Sequence, residues 1–157
     1  MHVVLDYRPA LRERTGVGEY VHELSRHVAA RLQPGGSLTL FSASWRDRLD
    51  AHTVPGAAVC DRRIPVRLLN LAWHRASWPP IERLAGRAFD IAHSAHPLLM
   101  PASAARQFVT IHDLDFLDHP ERTQREVRRD YPGLAATHAR RASRVVVSSA
   151  TAARDVA

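Results

Sequence analysis

Short apolar runs alternate along this chain with longer segments of helical spacing, and this alternation constrains the fold more than any other feature. Val3–Leu5 is an apolar run that ends at Asp6, and Leu38–Phe41 is the next such run. Between them, residues 19–32 place their apolar side chains on one helical face, until Pro34–Gly36 ends the pattern. A strand, a helix and a strand with short connections predict a right-handed parallel crossover. We therefore expect an α/β domain.

Further apolar runs extend this pattern along the chain. They predict strands at Ala57–Cys60, Phe89–His93, Phe108–Ile111 and Val145–Val147. Helical patterns predict helices at Val66–Trp78, at Ile81–Ala88, from about residue 121 to residue 141, and after Ser148–Ser149. Together these elements predict a mostly parallel sheet of about six strands with helices on both faces. Residues 1–157 contain no repeat or long linker, so we expect one domain.

The basic residues favour a phosphate-bearing partner. The chain has 22 basic and 16 acidic residues, a formal charge of +6, and every basic residue is arginine. A guanidinium group matches phosphate oxygens, so phosphorylated ligands, anionic lipid head groups and nucleic acid all fit the charge. We expect no nucleic-acid partner, because the arginines are scattered among acidic residues and no recognised binding element is present.

Cysteine content and hydropathy indicate the compartment. Cys60 is the only cysteine, which excludes an intrachain disulfide and a cysteine-based metal cluster and fits a reducing environment. No segment stays apolar for the about 18 residues that a membrane span needs, and no signal peptide is apparent. We therefore predict a cytoplasmic protein, with a peripheral contact at the inner face of the membrane as a further expectation.

That contact is predicted from the segment between residues 62 and 78. The apolar residues there are interleaved with arginines, so apolar groups could enter lipid while guanidinium groups meet phosphate. The apolar residues are Leu68, Leu69, Leu71, Trp73 and Trp78, and the arginines are Arg62, Arg63, Arg67 and Arg75. The alternative is an ordinary core-facing helix, which we favour because large apolar side chains are more often buried than exposed.

Polar residues follow four of the predicted strands directly. Ligands of open parallel sheets bind outside the carboxyl ends of the strands, so these residues define a candidate site. They are Asp6 and Arg8, then the segment from His93 to His96 with Ser94, then His112 and Asp113, then Ser148 and Ser149.

The loop Thr15-Gly16-Val17-Gly18 precedes the first predicted helix. Its glycines would let backbone amides approach a phosphate at the positive end of the helix dipole, although the same residues also fit a simple turn. Val21 stands where the dinucleotide fingerprint needs a third glycine or alanine, and a long loop separates the glycines from the first strand. We therefore expect no NAD or FAD cofactor.

His112 and Asp113 are the candidate catalytic residues. The imidazole could hydrogen-bond a substrate, and the carboxylate could orient a hydroxyl group. A structural histidine beside a turn-capping aspartate fits the same positions. With His93 and His96 these residues could also ligate a metal, but no established ligand spacing is present and we predict no metal site. Ser149 and Ser148 are interpreted as a helix N-cap in preference to a phosphate site.

Taken together, four segments resemble the N-terminal domain of the family-four retaining glycosyltransferases, which have two Rossmann-like domains in the GT-B arrangement. The resemblance spans nearly the whole chain. It rests on Asp6–Pro9, Thr15–Tyr20, Val109–Leu114 and Val145–Ser149.

The resemblance implies an N-terminal, acceptor-side domain. It implies transfer of a hexose such as mannose from a nucleotide-diphosphate sugar to an acceptor hydroxyl of a glycan or lipid-linked molecule, without a cofactor or metal. Gly16 and Gly18 would face the donor diphosphate, and His112 would approach the donor sugar. The donor-binding C-terminal domain is absent from residues 1–157, so we expect little activity from this chain alone. The alternative is a non-catalytic α/β domain that binds a ligand or a partner chain.

Overall fold

A computed structural model describes residues 1–12, 14, 16–113 and 125–156. Its sheet has six strands, and every pair of neighbours is parallel, in the order β3-β2-β1-β4-β5-β6. The strands are β1 (His2–Asp6), β2 (Ser37–Ala43), β3 (Ala57–Arg62), β4 (Ile91–Ser94), β5 (Arg106–Ile111) and β6 (Arg144–Val147). This confirms the predicted Rossmann-like α/β fold.

Helices connect these strands. Within the described ranges they are α1 (Val17–Arg31), α2 (Val66–Ala76), α3 (Ile81–Ala85), α4 (Arg125–Arg141) and α5 (Ala150–Val156), with a single 3-10 turn at Arg8–Ala10. Ser149 accepts the Ala152 N–H at 3.0 Å, which confirms the N-cap interpretation. None of the described helices is long and apolar enough to cross a membrane.

Several predicted boundaries were wrong by a few residues. The fourth strand begins at Ile91 and not at Phe89; Phe89 packs in the core, and Asp90 forms a bend directly before the strand. The second helix ends at Ala76, where Ser77 takes a left-handed φ of 49°. The third ends at Ala85 because Gly86 caps it at a φ of 71°. Of the helix predicted near residues 121–141, residues 121–124 lie outside the described ranges.

Successive residues of β1 face opposite sides of the sheet, so the core has two layers. Val4 packs with Leu69 and Trp73 of α2 on one side. Val3 and Leu5 pack with α1 on the other. The predicted placement of helices on both faces is therefore confirmed, and it follows from the two-residue period of a strand.

Helix α2 faces the core, but only some of its apolar residues are buried there. Leu69 and Trp73 are buried, with 2% of each exposed, whereas Leu68 is 62% and Leu71 is 54% exposed. Trp78, just beyond the helix, is 52% exposed. Only the side of the helix that carries Leu69 and Trp73 packs against the core.

The strand order reverses between β1 and β4, the two central strands. Val3 lies beside Ile91 and Leu5 beside His93, while the chain continues outward from β1 through β2 and from β4 through β5. Such a reversal opens a crevice at the carboxyl ends of the two strands, where parallel α/β domains bind ligands. The topology therefore places the candidate site beyond Asp6 and Ser94.

Two buried histidines form hydrogen bonds between secondary-structure elements that lie beside this crevice. The His93 Nε2 lies 2.9 Å from the Thr110 hydroxyl of the adjacent strand β5. His138 of α4 accepts the Leu99 N–H at 3.0 Å and so ties that helix to the loop after β4. Burial lowers the pKa of each histidine to about 4, so both are neutral at neutral pH.

His93 makes the stability of the fold depend on pH. The unfolded imidazole takes up a proton near its ordinary pKa of 6.5 and the folded one only near pH 4. The free energy of unfolding therefore falls as the pH drops through this window, by roughly 3 kcal/mol for this residue. Urea denaturation at several pH values should show that His93→Gln removes this part of the dependence. Thr110→Val, which leaves the imidazole in place, should retain it; equal pH dependence of wild type and His93→Gln would contradict the assignment.

Candidate functional site

The glycine loop begins helix α1 at the carboxyl edge of the sheet. Gly16 is the N-cap residue with a φ of 52°, a conformation that favours glycine, and no side chain caps the helix. The first-turn amides of Val17, Gly18 and Glu19 have no acceptor within the helix. Val17 is 38% exposed and Gly18 is buried. The loop thus presents backbone N–H groups at the positive end of a 15-residue helix.

A chain of hydrogen bonds anchors this loop to the core. Arg14 donates to the His22 Nε2 at 3.0 Å, so the His22 Nδ1 carries the proton and donates to the Tyr7 hydroxyl at 2.7 Å. Tyr7 is 1% exposed, and burial raises its pKa. His22 was not predicted from the sequence as a site residue. Its position one turn after Gly18, on a helix that follows a glycine loop, was the available signal.

Asp6 lies at the carboxyl end of β1 and organises the crevice floor. Its carboxylate accepts from the Arg8 Nε at 2.8 Å and from the Arg8 Nη2. It also accepts from the His96 Nε2 at 3.0 Å, a contact that crosses from β1 to the chain after β4. Arg8 donates further to the Asn70 Oδ1 at 2.8 Å and stacks over the Trp73 ring at 4.7 Å. Asn70 was not predicted from the sequence.

This cluster is charged and buried. Burial raises the pKa of Asp6, but the Arg8 ion pair and the hydrogen bonds from Arg8 and His96 lower it further, so the net pKa lies well below the ordinary range. The His96 Nδ1 accepts the Leu98 N–H at 3.2 Å, so both of its ring nitrogens are engaged. Asp6, Arg8 and His96 therefore bind one another, and their contact with a substrate stays a prediction.

Ser94 is also turned inward. Its side chain is fully buried, and its hydroxyl accepts the Met100 N–H at 2.8 Å. The hydrogen bond holds the loop between β4 and β5 against the end of β4. The structure thus does not place the Ser94 side chain at the open edge, where a ligand would have access.

His112 follows β5 and lies against the first turn of α1. Its Nε2 donates to the Ala95 carbonyl at 3.2 Å, which places the proton on Nε2 and leaves Nδ1 as an acceptor. The ring meets Tyr20 edge-on with centroids 4.7 Å apart. Tyr20 in turn donates its N–H to the Gly16 carbonyl at 3.1 Å. Tyr20, which belongs to the segment Thr15–Tyr20 of the resemblance but was not predicted as a site residue, therefore connects the glycine loop with His112.

Ser148 and Asp113 complete this edge of the sheet. Ser148, after β6, donates to the His112 carbonyl at 2.9 Å. Asp113 has an exposed side chain next to His112. The structure therefore separates the predicted residues into two groups. Gly16, Val17, His112 and Asp113 lie at the open edge, and the others form its internal support.

The described residues contain no group of three or more histidine, cysteine, aspartate or glutamate side chains that could hold a metal ion. Asp6 and His96 come together, but the third member of their cluster is a guanidinium group. A cation next to the carboxylate opposes binding of a second cation there. What the edge offers a ligand is a set of amide donors, an imidazole acceptor and a carboxylate.

A parallel sheet with a strand-order reversal, a glycine loop at a helix N-terminus and polar residues at the carboxyl edge define a Rossmann-like ligand-binding domain. The chain matches the model of a protein family, Glycosyltransferase Family 4, over residues 14–157. It therefore belongs to this family, which confirms that part of the resemblance. No match was found among curated proteins or among solved structures.

Substitution of Asp6 tests the internal support of the site. Asp6→Asn keeps the shape of the side chain but leaves the Arg8 guanidinium buried without an anionic partner, so we expect the free energy of unfolding to fall by about 3 kcal/mol. The measurement is denaturant unfolding followed by circular dichroism. Asp47→Asn is the matched control, because Asp47 pairs with Arg12 at the surface and should change little. Equal losses for the two variants would argue against a stabilising role for the cluster.

Proposed function

We propose that this chain is the acceptor-side half of a retaining glycosyltransferase that transfers a hexose such as mannose. The donor is a nucleotide-diphosphate sugar, and the acceptor is a hydroxyl group of a glycan or a lipid-linked molecule. Membership of the glycosyltransferase family supports the reaction class. The sugar, the stereochemistry and the acceptor class rest on the sequence resemblance.

The contact between Tyr20 and His112 is the observation that carries this proposal. It brings the glycine loop, which offers donors for phosphate oxygens, next to an imidazole with a free acceptor nitrogen among the described contacts. A nucleotide-diphosphate sugar needs both features a few ångströms apart, because its diphosphate and its sugar ring are adjacent. The edge therefore suits a ligand that is anionic at one end and rich in hydroxyl groups at the other.

Each group has a distinct role in the proposed reaction. The bond between the anomeric carbon and a diphosphate oxygen breaks, and negative charge builds up on the leaving diphosphate. The amides around Gly16 and the dipole of α1 stabilise that charge without a metal ion. The His112 Nδ1 accepts a hydrogen bond from a hydroxyl of the donor sugar and so orients the ring. Asp113 is assigned to orient the acceptor hydroxyl, whose oxygen forms the new bond to the anomeric carbon while its proton passes to the oxygen of the leaving diphosphate.

A second domain completes the site in this proposal. A carboxyl edge is open on one side, whereas stabilisation of a leaving diphosphate requires donors fixed around it in a cleft that excludes water. We propose that a C-terminal α/β domain binds the nucleotide and closes over the glycine loop. A reading frame that continues past Ala157 into such a domain would support this arrangement.

The 157-residue chain alone should therefore show little or no transfer. The measurement is transfer of radiolabelled sugar from a panel of nucleotide-diphosphate donors to lipid and glycan acceptors. Turnover comparable with that of intact enzymes would refute the need for a second domain. Activity that appears only after a separately encoded chain binds would instead identify the chain as a partner domain.

The role of His112 can be tested in the protein that carries both domains. His112→Ala removes the acceptor for the sugar hydroxyl, and we expect kcat to fall roughly 10- to 100-fold, the cost of one lost hydrogen bond in the transition state. His27→Ala is the control, since its imidazole is exposed on α1 away from the glycine loop. Equal kcat values for the two variants would remove His112 from the proposed mechanism.

A further inference from the structure

Leu68, Leu71, Trp78, Arg67 and Arg75 form an exposed surface along α2, here called the arginine–leucine surface. Leu68 is 62%, Leu71 is 54% and Trp78 is 52% exposed, and both arginines are exposed. Large apolar side chains that share one exposed face with cations are unusual on a domain surrounded by water. We propose that this surface docks the domain on an anionic lipid bilayer.

The helix that carries this surface is firmly held by its opposite side. Leu69 and Trp73 are buried in the core beneath it, and the Trp73 indole donates to the Pro79 carbonyl at 3.0 Å. Asn70 accepts from Arg8 of the site cluster. The exposed face therefore belongs to a helix whose opposite face is held by the core and by Arg8. The helical period separates it from the buried face, because 68 and 71 lie on the other side of the helix from 69 and 73.

The charges along the segment that carries the surface all have one sign. Residues 62–81 include four arginines and no acidic residue. Glu82 is the next acidic residue along the chain. Its carboxylate accepts hydrogen bonds from the backbone N–H groups of Ser103, Ala104 and Ala105 at 3.0 to 3.2 Å. Arg67 and Arg75 have no carboxylate partner among the described residues. Their charge is available to an anionic surface.

Charge complementarity selects an anionic bilayer over a second copy of the chain. Two copies joined through this surface would bring their arginines together with no acid to neutralise them, which is unfavourable. A bilayer with anionic lipids supplies phosphates to the guanidinium groups and acyl chains to the leucines. Tryptophan prefers the depth of the lipid head groups, which suits Trp78 at the end of the surface.

The surface leaves the candidate site open. Helix α2 follows β3, and its buried residues Leu69 and Trp73 pack with Val4 of the sheet. It covers one face of the sheet, whereas the glycine loop and His112 lie at the carboxyl edge. Docking through α2 would therefore hold the site beside the membrane without covering it. The inference does not depend on glycosyl transfer, and its test uses binding alone.

Vesicle co-sedimentation tests the charge requirement. The purified chain should bind vesicles of phosphatidylcholine with phosphatidylglycerol, should bind pure phosphatidylcholine weakly, and should release as salt is raised. Arg67→Gln/Arg75→Gln should lower the partition coefficient by about 30-fold, because each arginine near the surface contributes about a factor of five. Arg31→Gln/Arg106→Gln removes the same net charge from exposed positions at the end of α1 and the start of β5, and it should lower binding much less. Equal losses for the two variants would overturn the proposal.

Quenching by brominated lipids tests whether the apolar groups enter the bilayer. In Trp45→Phe the remaining indoles are Trp73, which is buried, and Trp78, so quenching reports on Trp78. We expect quenching by anionic brominated vesicles, its loss in Trp45→Phe/Trp78→Phe, and several-fold weaker binding by Leu71→Ser. Circular dichroism of each variant shows whether it is folded. Binding without quenching of Trp78, or a dimer that Leu71→Ser abolishes, would refute docking through this surface.

Discussion

The buried carboxylate of Asp6 is the interaction on which the rest of this structure depends. It lies at the end of the central strand β1, where the strand order reverses, and it binds both Arg8 and His96. The contact with His96 spans the two strands between which the crevice opens. Arg8 extends the cluster to Asn70 and Trp73 of α2. One carboxylate therefore joins the two halves of the sheet and a helix on its face.

This cluster connects the edge of the sheet with the arginine–leucine surface. Residues 69, 70 and 73 of α2 are held by the core and by Arg8, so the helix is rigid where it faces inward. The leucines and arginines on its outward side are therefore exposed to solvent. A domain held at a bilayer by α2 would keep its carboxyl edge close to lipid-linked molecules, which agrees with the proposed acceptor class. The same packing thus serves both proposed roles.

The strands could be predicted from the sequence because each contains a short apolar run, and β1, β2 and β4 are almost wholly buried, as inner strands of a parallel sheet require. The predicted boundaries were poorest at Phe89 and beyond Ala76, where a core side chain or a left-handed residue ends a pattern that hydropathy alone would continue. His112 could be identified because it directly follows a strand, and the glycine loop because it precedes the first helix. Their link through Tyr20 could not, since it joins residues 92 positions apart.

The amino-acid sequence by itself determined the α/β class, the parallel sheet and the polar residues that would reach its carboxyl edge, because these follow from local periodicity and the position of strand ends. Only the tertiary structure decided which of those residues bind one another. Asp6, Arg8, His96 and Ser94 have internal partners, whereas Gly16 and Val17 lie at the open edge. The physical reason is that a buried polar group must find its partner in space, and strand order brings distant residues together.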